Sequence, residues 1–519
     1  MTPPLIQSLL QPRFYPHPVA DCQLIETHIS WVILAGEFAY KIKKPLNLGF
    51  LDFSSLEKRR HYCAEEIRLN RRLAPEIYLD VLSIGGSAAH PLYQHTPAIE
   101  YAVRMRRFEM QNQLDILLGA GHLDSQIVDA FAQAIARFHQ SIVGARPPAN
   151  LGTPSQVWQP MAENFQQIRA LPIWTQEDPH LSALEAWSQE QYRQHQALLS
   201  QRLAEGFVRE CHGDMHLANL AWIDHMPLIF DGIEFNPALR WIDVISEIAF
   251  VVMDLHQHHR SDLAWRLLNG YLEHSGDYAG LALLRFYLVY RAMVRAKIAA
   301  IRLAQLEAGT AQQAARSELQ DYLQLAASFT RAQRPQLLIC HGLSGSGKSV
   351  LGMQLLARIG GLRIRSDVER KRLFGVSPQQ RGEDSLYQPD ATAQTYQRLA
   401  RLAGAMLGAG FTVMVDASFL DAAEREHFAQ LAKERGCPFW ILSFSASETV
   451  LRQRLAARRG DASDADTSVL DKQLASFRAL AEAELKQTLS IDSEAVDPLR
   501  PALTGLLPTS AQSAAGRDD

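Results

Sequence analysis

Cysteine is scarce and scattered: Cys22, Cys63, Cys211, Cys340 and Cys437 make an odd total of five, with no Cys-x-x-Cys pair. That pattern argues against a disulfide framework or a zinc cage and fits buried free thiols in a reducing compartment. Long hydrophobic runs are also missing, none approaching the ~18 residues that a membrane-spanning helix needs. Met1–Pro12 has no basic stretch ahead of its short Leu-Ile run, so no secretory leader is expected and the cytoplasm is the expected location. Net charge is close to nil: 52 Lys and Arg against 56 Asp and Glu leave −4. A balance of that kind argues against a broad basic surface for nucleic acid, although a small local basic site remains compatible with it. No short fixed period recurs, which disfavours a solenoid or propeller.

What is present is enough ordinary sequence for several domains. The chain has 519 residues, 47% of them hydrophobic and 21% charged, which at about 100–200 residues per domain predicts two to four folded domains. Short alternating runs such as Trp31–Leu34 and Phe38–Ile42 come first, and helical periodicity takes over from about Leu114 to Ser328. An α+β domain over residues 1–330 is expected. The polar, proline-containing stretch 331–336 reads as a linker. Beyond it, the apolar runs Leu337–Cys340, Thr412–Val415 and Phe439–Phe444 alternate with helical segments, the pattern of an α/β domain with a parallel sheet over 337–500. Residues 501–519, rich in Pro, Ala, Ser and Thr, are expected to be a frayed tail.

The most specific motif is Gly342-Leu343-Ser344-Gly345-Ser346-Gly347-Lys348-Ser349, a G-x-x-x-x-G-K-S loop between an expected strand and an expected helix. Such a loop turns backbone N–H groups onto phosphates at a helix N-terminus; Lys348 reaches the terminal phosphates of ATP, and Ser349 is the expected Mg²⁺ ligand. Asp367 follows the short apolar segment Leu362–Ile364, where a strand end aims a carboxylate at the nucleotide crevice and lets it accept a proton from a hydroxyl. Asp416 closes another apolar run and either holds magnesium through water or caps the following helix. Arg454 and Arg458 share a helix face at i, i+4 and either close over phosphates or form a solvated face. Over roughly Gln336–Asp492 these features resemble small P-loop kinases of the polynucleotide kinase and gluconate kinase type. The resemblance implies Asp367 as catalytic base, Arg370 of the Asp367-x-x-Arg370 pair as a substrate or phosphate contact, and Arg454 and Arg458 as lid residues.

A second constellation lies in the first domain. His212-Gly213-Asp214-Met215-His216-Leu217-Ala218-Asn219 is followed by Asp231-Gly232 after the apolar run Leu228–Phe230. These spacings match the kinase template H-R-D-x-x-x-x-N and D-F-G, in which the first Asp orients the attacking hydroxyl while Asn and the second Asp bind magnesium. Asp214 is thus the expected base, with Asn219 and Asp231 as metal ligands. Glycine after the histidine, with His216 inside the loop, resembles the aminoglycoside phosphotransferase and choline kinase family, which acts on small-molecule hydroxyls. Phe38-Ala39-Tyr40-Lys41 matches the V-A-I-K template; Lys41 is preferred as the nucleotide lysine, with Lys43 the alternative on the same strand face. A helix opening at a Ser54/Glu57 capping box places Glu66 inward with Tyr62, Leu69 and Leu73, as the partner of Lys41, and Glu65 outward.

No G-x-G-x-x-G loop precedes Lys41, a departure from protein kinases that the aminoglycoside kinase family shares. Tyr101–Phe108 reads as an adenine hinge or as sheet core. Glu234, Asp243, Arg291, Arg295 and Lys297 are open to contact with substrate, but the commoner reading is a solvated or salt-bridged helix face. As a whole the chain resembles bacterial proteins fusing an aminoglycoside phosphotransferase-like domain to a P-loop kinase domain. That resemblance implies an ATP- and Mg²⁺-dependent transferase with two sites for small-molecule alcohols. The alternatives are a regulatory module in which one domain gates the other, or a P-loop domain acting on nucleic-acid 5′-hydroxyls.

Overall fold

The computed structural model describes residues 2–49, 51–173, 179–377, 380, 382, 384–457 and 463–506. Two compact units emerge, Met1–Asp254 with Phe286–Ala327, and Leu255–Arg285 with Ser328–Asp519.

The first unit opens with strands β1 (Cys22–Glu26), β2 (Ser30–Ala35), β3 (Phe38–Lys43), β4 (Tyr78–Ser87), β5 (His90–Tyr93) and β6 (Ala98–Arg106). They form an antiparallel sheet in the order β1-β2-β3-β6-β4-β5. Side chains alternate across a strand. In β3, Tyr40 and Ile42 join one buried face with Ile33, Ile84 and Ala102, closed by Ile6 and Leu9. Lys41 and Lys43 consequently point to the other face, where Cys63 and Ile67 of helix Leu56–Asn70 pack against Tyr78 and Val103.

That helix begins one residue later than the sequence reading placed it. Ser55 is the N-cap, its hydroxyl accepting from Lys58 N at 3.2 Å. Ser54 is already engaged, because its amide and its hydroxyl both donate to Asp52 Oδ1. Long helices then follow, among them Ser125–Ser141, Pro154–Arg169, Pro179–Ala204 and Leu281–Gln305. Between them lie β7 (Val208–Glu210), the hairpin β8 (Leu220–Ile223) and β9 (Met226–Ile229), and β10 (Trp241–Asp243), which pairs with β7. A strand-rich lobe with one packed helix, then a helical lobe carrying a short hairpin, is the protein kinase-like arrangement.

In the second unit β11 (Leu337–His341), β12 (Leu362–Arg365), β13 (Val413–Asp416), β14 (Phe439–Ser445) and β15 (Thr488–Asp492) form a fully parallel sheet in the order β12-β13-β11-β14-β15. This is a P-loop NTPase fold. The three expected apolar runs became β11, β13 and β14, whereas β15 is half polar and gave no such signal.

Two boundaries differ from the sequence expectation. Helix Ser261–Ser275, within the stretch first assigned to residues 1–330, packs with the P-loop unit: Asn269 Nδ2 donates to Gly361 O (2.9 Å) and Asn269 Oδ1 accepts from Arg363 N (2.6 Å). Partners 92 and 94 residues away leave no local trace in sequence. Arg500–Leu506 is helical and buries Ala502 and Leu506 in the core, so the chain is still packed past 501; residues 507–519 lie outside the described residues. Among the described residues no helix is long and apolar enough to cross a membrane.

Candidate active sites

In the first unit the alternation of β3 and the inward face of helix Leu56–Asn70 meet at Glu66, which is completely buried. Lys41 Nζ lies 2.8 Å from Glu66 Oε1 and 2.5 Å from Asp231 Oδ1. Lys43 Nζ lies 2.7 Å from Glu66 Oε2 and also binds Glu234. The two candidate lysines therefore share one carboxylate, and only Lys41 reaches Asp231. Burial alone would discharge Lys41, Lys43, Glu66 and Glu234. Burial pushes Glu66 up, but Lys41 and Lys43 together hold it below the ordinary carboxylate range. Both lysines stay well above their usual value despite their own burial, held there by Asp231, Glu66 and Glu234. Glu234 goes the other way, raised by burial and by the charge of Glu66.

Asp231 adopts a left-handed φ of 63°, rare outside glycine. Its amide donates to Tyr78 Oη (3.0 Å), and Gly232 N donates to Asn70 Oδ1 (2.7 Å), which fixes the turn after β9. The loop carrying Asp214 is anchored from below. His212 N and Gly213 N both donate to Glu247 Oε1 at 2.7 Å, and Glu247 Oε2 meets His139 Nε2 at 2.8 Å. Arg291 Nη1 donates to Gly213 O (3.2 Å) and its Nε to Ser246 O (3.0 Å). Arg291 is thus a buried brace of the loop and not the solvated helix face that its charge suggested. Asp243 is likewise internal, in a buried pair with Arg202 at 2.6 Å.

Above these anchors, Asn219 Nδ2 donates to Asp214 O (2.9 Å), and His216 Nε2 stands 3.5 Å from Asp214 Oδ2. Burial pushes Asp214 up, yet His216, His212 and Arg291 bring it well below the ordinary aspartate value. Burial depresses His216, but Asp214 more than offsets this and leaves it above the ordinary histidine value. The two shifts agree on an ion pair that keeps Asp214 ionised as an acceptor. Glu247 and Asp254, whose Oδ2 accepts from Leu217 N at 2.9 Å, were absent from the sequence reading. Two acids in the apolar helix Val244–Gln257 were the available signal, since a buried acid needs donors. His139, Cys211 and Glu247 also cluster closely enough to suggest a metal site. Burial keeps the Cys211 thiol protonated and Glu247 is spent on backbone amides, so the cluster serves as an anchor.

In the second unit the loop between β11 and helix Lys348–Ile359 follows the G-x-x-x-x-G-K-S pattern physically. Gly342, Gly345 and Gly347 take φ of 144°, 87° and 93°, and a Cβ on Gly342 would sit 2.4 Å from Phe444 O. Lys348 Nζ donates to Gly342 O (2.9 Å) and Leu343 O (2.7 Å), lying over the loop it would use to hold phosphate. Ser344 N donates to Gln473 Oε1 (2.8 Å), and the Ser346 hydroxyl is buried without a partner. One cavity of about 1110 Å³ has Ser344, Gly345, Gly347, Lys348, Ser349, Asp367, Arg370, Asp416 and Arg454 among its lining. Asp367 occupies the first turn of helix Ser366–Leu373, directly after β12. Burial and the charge of Asp416 raise its carboxyl, outweighing a hydrogen bond with Ser463 and the nearby Arg365 and Arg370. Arg370 is buried, donating to Leu386 O (2.7 Å) and Thr392 Oγ1 (3.1 Å) over the ring of Tyr387, with Nε unpartnered.

Asp416 ends β13, and its Oδ2 is buried with no hydrogen-bond partner. It is not a helix cap: the next helix, Ala422–Glu434, is capped by Asp421. Arg454 Nη1 reaches Gly345 O (3.2 Å) and Ser493 Oγ (2.8 Å), while Arg458 lies outside the described residues. The fit to a nucleotide with a hard cation rests on the loop glycines that exclude a Cβ, the orphaned Asp416 oxygen and the Ser349 hydroxyl. In the first unit Asn219 and Asp231 offer oxygen donors of the same kind.

Residues 337–480 match the family model AAA_33, an AAA domain. The uncharacterized protein Rv2004c of Mycobacterium tuberculosis (strain ATCC 25618 / H37Rv) is 31% identical over 463 residues, spanning 87% of this chain and 90% of that one. The chain belongs to the same family. Among solved structures, amicoumacin kinase hAmiN in complex with AMP-PNP, Ca²⁺ and Ami is similar at 12% identity and TM-score 0.41, over 62% of this chain and 92% of that one. A gluconokinase from Sinorhizobium meliloti 1021 is similar at 23% identity and TM-score 0.26, over 36% of this chain and 99% of that one.

Proposed function

We propose that the protein is an ATP-dependent phosphotransferase with two nucleotide sites, each passing the γ-phosphoryl group to the hydroxyl of a small-molecule acceptor. The observation that supports this reading is that each unit contains, within itself, a lysine, oxygen donors of the kind a hard cation takes and a carboxylate of the kind that accepts a proton. In the first unit these are Lys41 held by Glu66, Asn219 with Asp231, and Asp214. In the second they are Lys348, Ser349 with Asp416, and Asp367, all on one cavity.

MgATP, when bound, supplies the transferable phosphoryl group and neutralises its charge. The chain's own residues do the rest. Asp214, kept ionised by His216, orients the acceptor hydroxyl and takes its proton as the oxygen attacks phosphorus. Glu247 and Arg291 keep that loop from shifting. At the other site Asp367 performs the same task, Lys348 exchanges its two loop carbonyls for phosphate oxygens, and Arg370 and Arg454 add fixed positive charge.

The test is transfer from γ-labelled ATP into a small-metabolite pool by the wild type, Asp214→Asn and Asp367→Asn. Each substitution is expected to abolish a different labelled product. Label that survives the double variant at the wild-type rate, or no ATP binding by the wild type, would refute the proposal.

A further inference from the structure

Asp416 raises a question of charge balance. Its buried Oδ2 has no hydrogen-bond partner, yet two guanidinium groups stand just outside hydrogen-bonding range, Arg363 Nη1 and Arg365 Nε, each at 3.8 Å. Arg365 is the register partner of Asp416 across the β12–β13 pair, so the strands themselves bring cation and anion together. Left to themselves, such groups close to contact, since a direct charged hydrogen bond at about 2.8 Å is the stronger arrangement.

What holds the arginines off is Glu273, on helix Ser261–Ser275 of the same unit. Its Oε2 accepts from Arg363 Nη2 at 2.9 Å and its Oε1 from Arg365 Nη1 at 2.9 Å, one carboxylate spanning both. Burial pushes Glu273 up, but Arg363 and Arg365 keep it below the ordinary glutamate range, so it is an anion. Arg363 is restrained again by the Ser349 carbonyl, which accepts from its Nη1 at 2.8 Å. The helix is itself fixed against β12 by both ends of the Asn269 amide, and against helix Ser366–Leu373 by Glu273 O, which accepts from Arg372. Glu273 therefore sits in a rigid place.

We propose that Glu273 is a positioning residue for the metal site of the P-loop unit. By drawing Arg363 and Arg365 toward itself it leaves Asp416 neutralised in charge while its lone pairs stay open to a divalent cation. This rests on the reading of Asp416 as a magnesium ligand. Without the Glu273 charge the two guanidiniums close on Asp416 and compete with the cation for the same oxygen atoms.

The experiment measures Mn²⁺ bound to the full-length protein, from the electron paramagnetic resonance of free Mn²⁺, with a non-hydrolysable ATP analogue present. All proteins carry Asp231→Asn to silence the first unit. Glu273→Gln is expected to weaken Mn²⁺ binding about tenfold, as substitutions behind metal ligands commonly do. Adding Arg365→Gln to Glu273→Gln is expected to restore most of the loss, a rescue that mere damage to packing would not give. Unchanged Mn²⁺ affinity in Glu273→Gln, alongside weakened affinity in Asp416→Asn, overturns the role of Glu273 alone. Unchanged affinity in Asp416→Asn overturns the metal-ligand reading and this proposal with it. Should Glu273→Gln fail to fold, Glu273→Asp takes its place, because it keeps the charge but withdraws it by one methylene from the two guanidiniums that Glu273 spans; the same Arg365→Gln rescue is then the deciding comparison.

Discussion

Replacing Lys43 by methionine tests how the buried charges of the first unit depend on one another. Lys43 is fully buried and holds two carboxylates, Glu66 and Glu234. After Lys43→Met, Glu66 keeps Lys41 at 2.8 Å, but Glu234 loses the cation that binds it and is itself buried. An uncompensated buried charge costs about 3–5 kcal/mol. Hydrogen exchange of amides in β3 and β6 reads this directly, because they are sealed by the sheet; their exchange should accelerate by between about 10² and 10⁴-fold.

The deficit also has a sign in pH. Glu234 already has a raised pKa, and losing Lys43 raises it further. A group of that kind costs least when protonated, so the variant's deficit grows as pH rises from the ordinary glutamate value through the raised folded value. The double variant Lys43→Met/Glu234→Gln removes both charges and should return to within about 1–2 kcal/mol of wild type. Equal losses in the single and double variants would refute the reasoning, because Glu234 would then not depend on Lys43.

Two further outcomes follow from the P-loop unit. Asp367→Asn should lower turnover there by about 10²–10⁴-fold while raising the unfolding midpoint at pH 7. An acid with a raised folded pKa loses stability as pH climbs from its unfolded value to its folded one, and asparagine removes that loss, as melts at pH 4 and pH 7 would reveal. Gly342→Ala puts a Cβ 2.4 Å from Phe444 O at a left-handed φ; it should destabilise the unit by about 1–3 kcal/mol and weaken ATP binding measured by calorimetry.

Local chemistry made much of this legible in sequence. The G-x-x-x-x-G-K-S loop names its own backbone, since three of its positions need φ values that glycine accepts. The inward place of Glu66 follows from a 3.6-residue period, and Glu65 pairs with Arg68 outside, as that period requires. Lys41 and Lys43 were harder to separate for a physical reason: residues two apart on a strand share a face, and here they share a partner. The bracing role of Arg291, and Arg363 altogether, escaped because a charged residue looks the same in sequence whether it meets water or a buried carbonyl. The stretch 255–285 was assigned by its position in the chain, whereas its packing is decided by β12, far along the sequence.

Asn269 has one more consequence. A strand that ends a sheet offers an unpaired row of amides and carbonyls to any other chain, and proteins cover such rows to stay soluble. β12 is the terminal strand of the parallel sheet, and the Asn269 side chain satisfies Gly361 O and Arg363 N as a neighbouring strand would. Cutting the protein at 331 would strip that cover and leave β12 bare. The helix Ser261–Ser275 is in that sense a guard against self-association, and the smallest well-behaved fragment containing the P-loop has to begin before it.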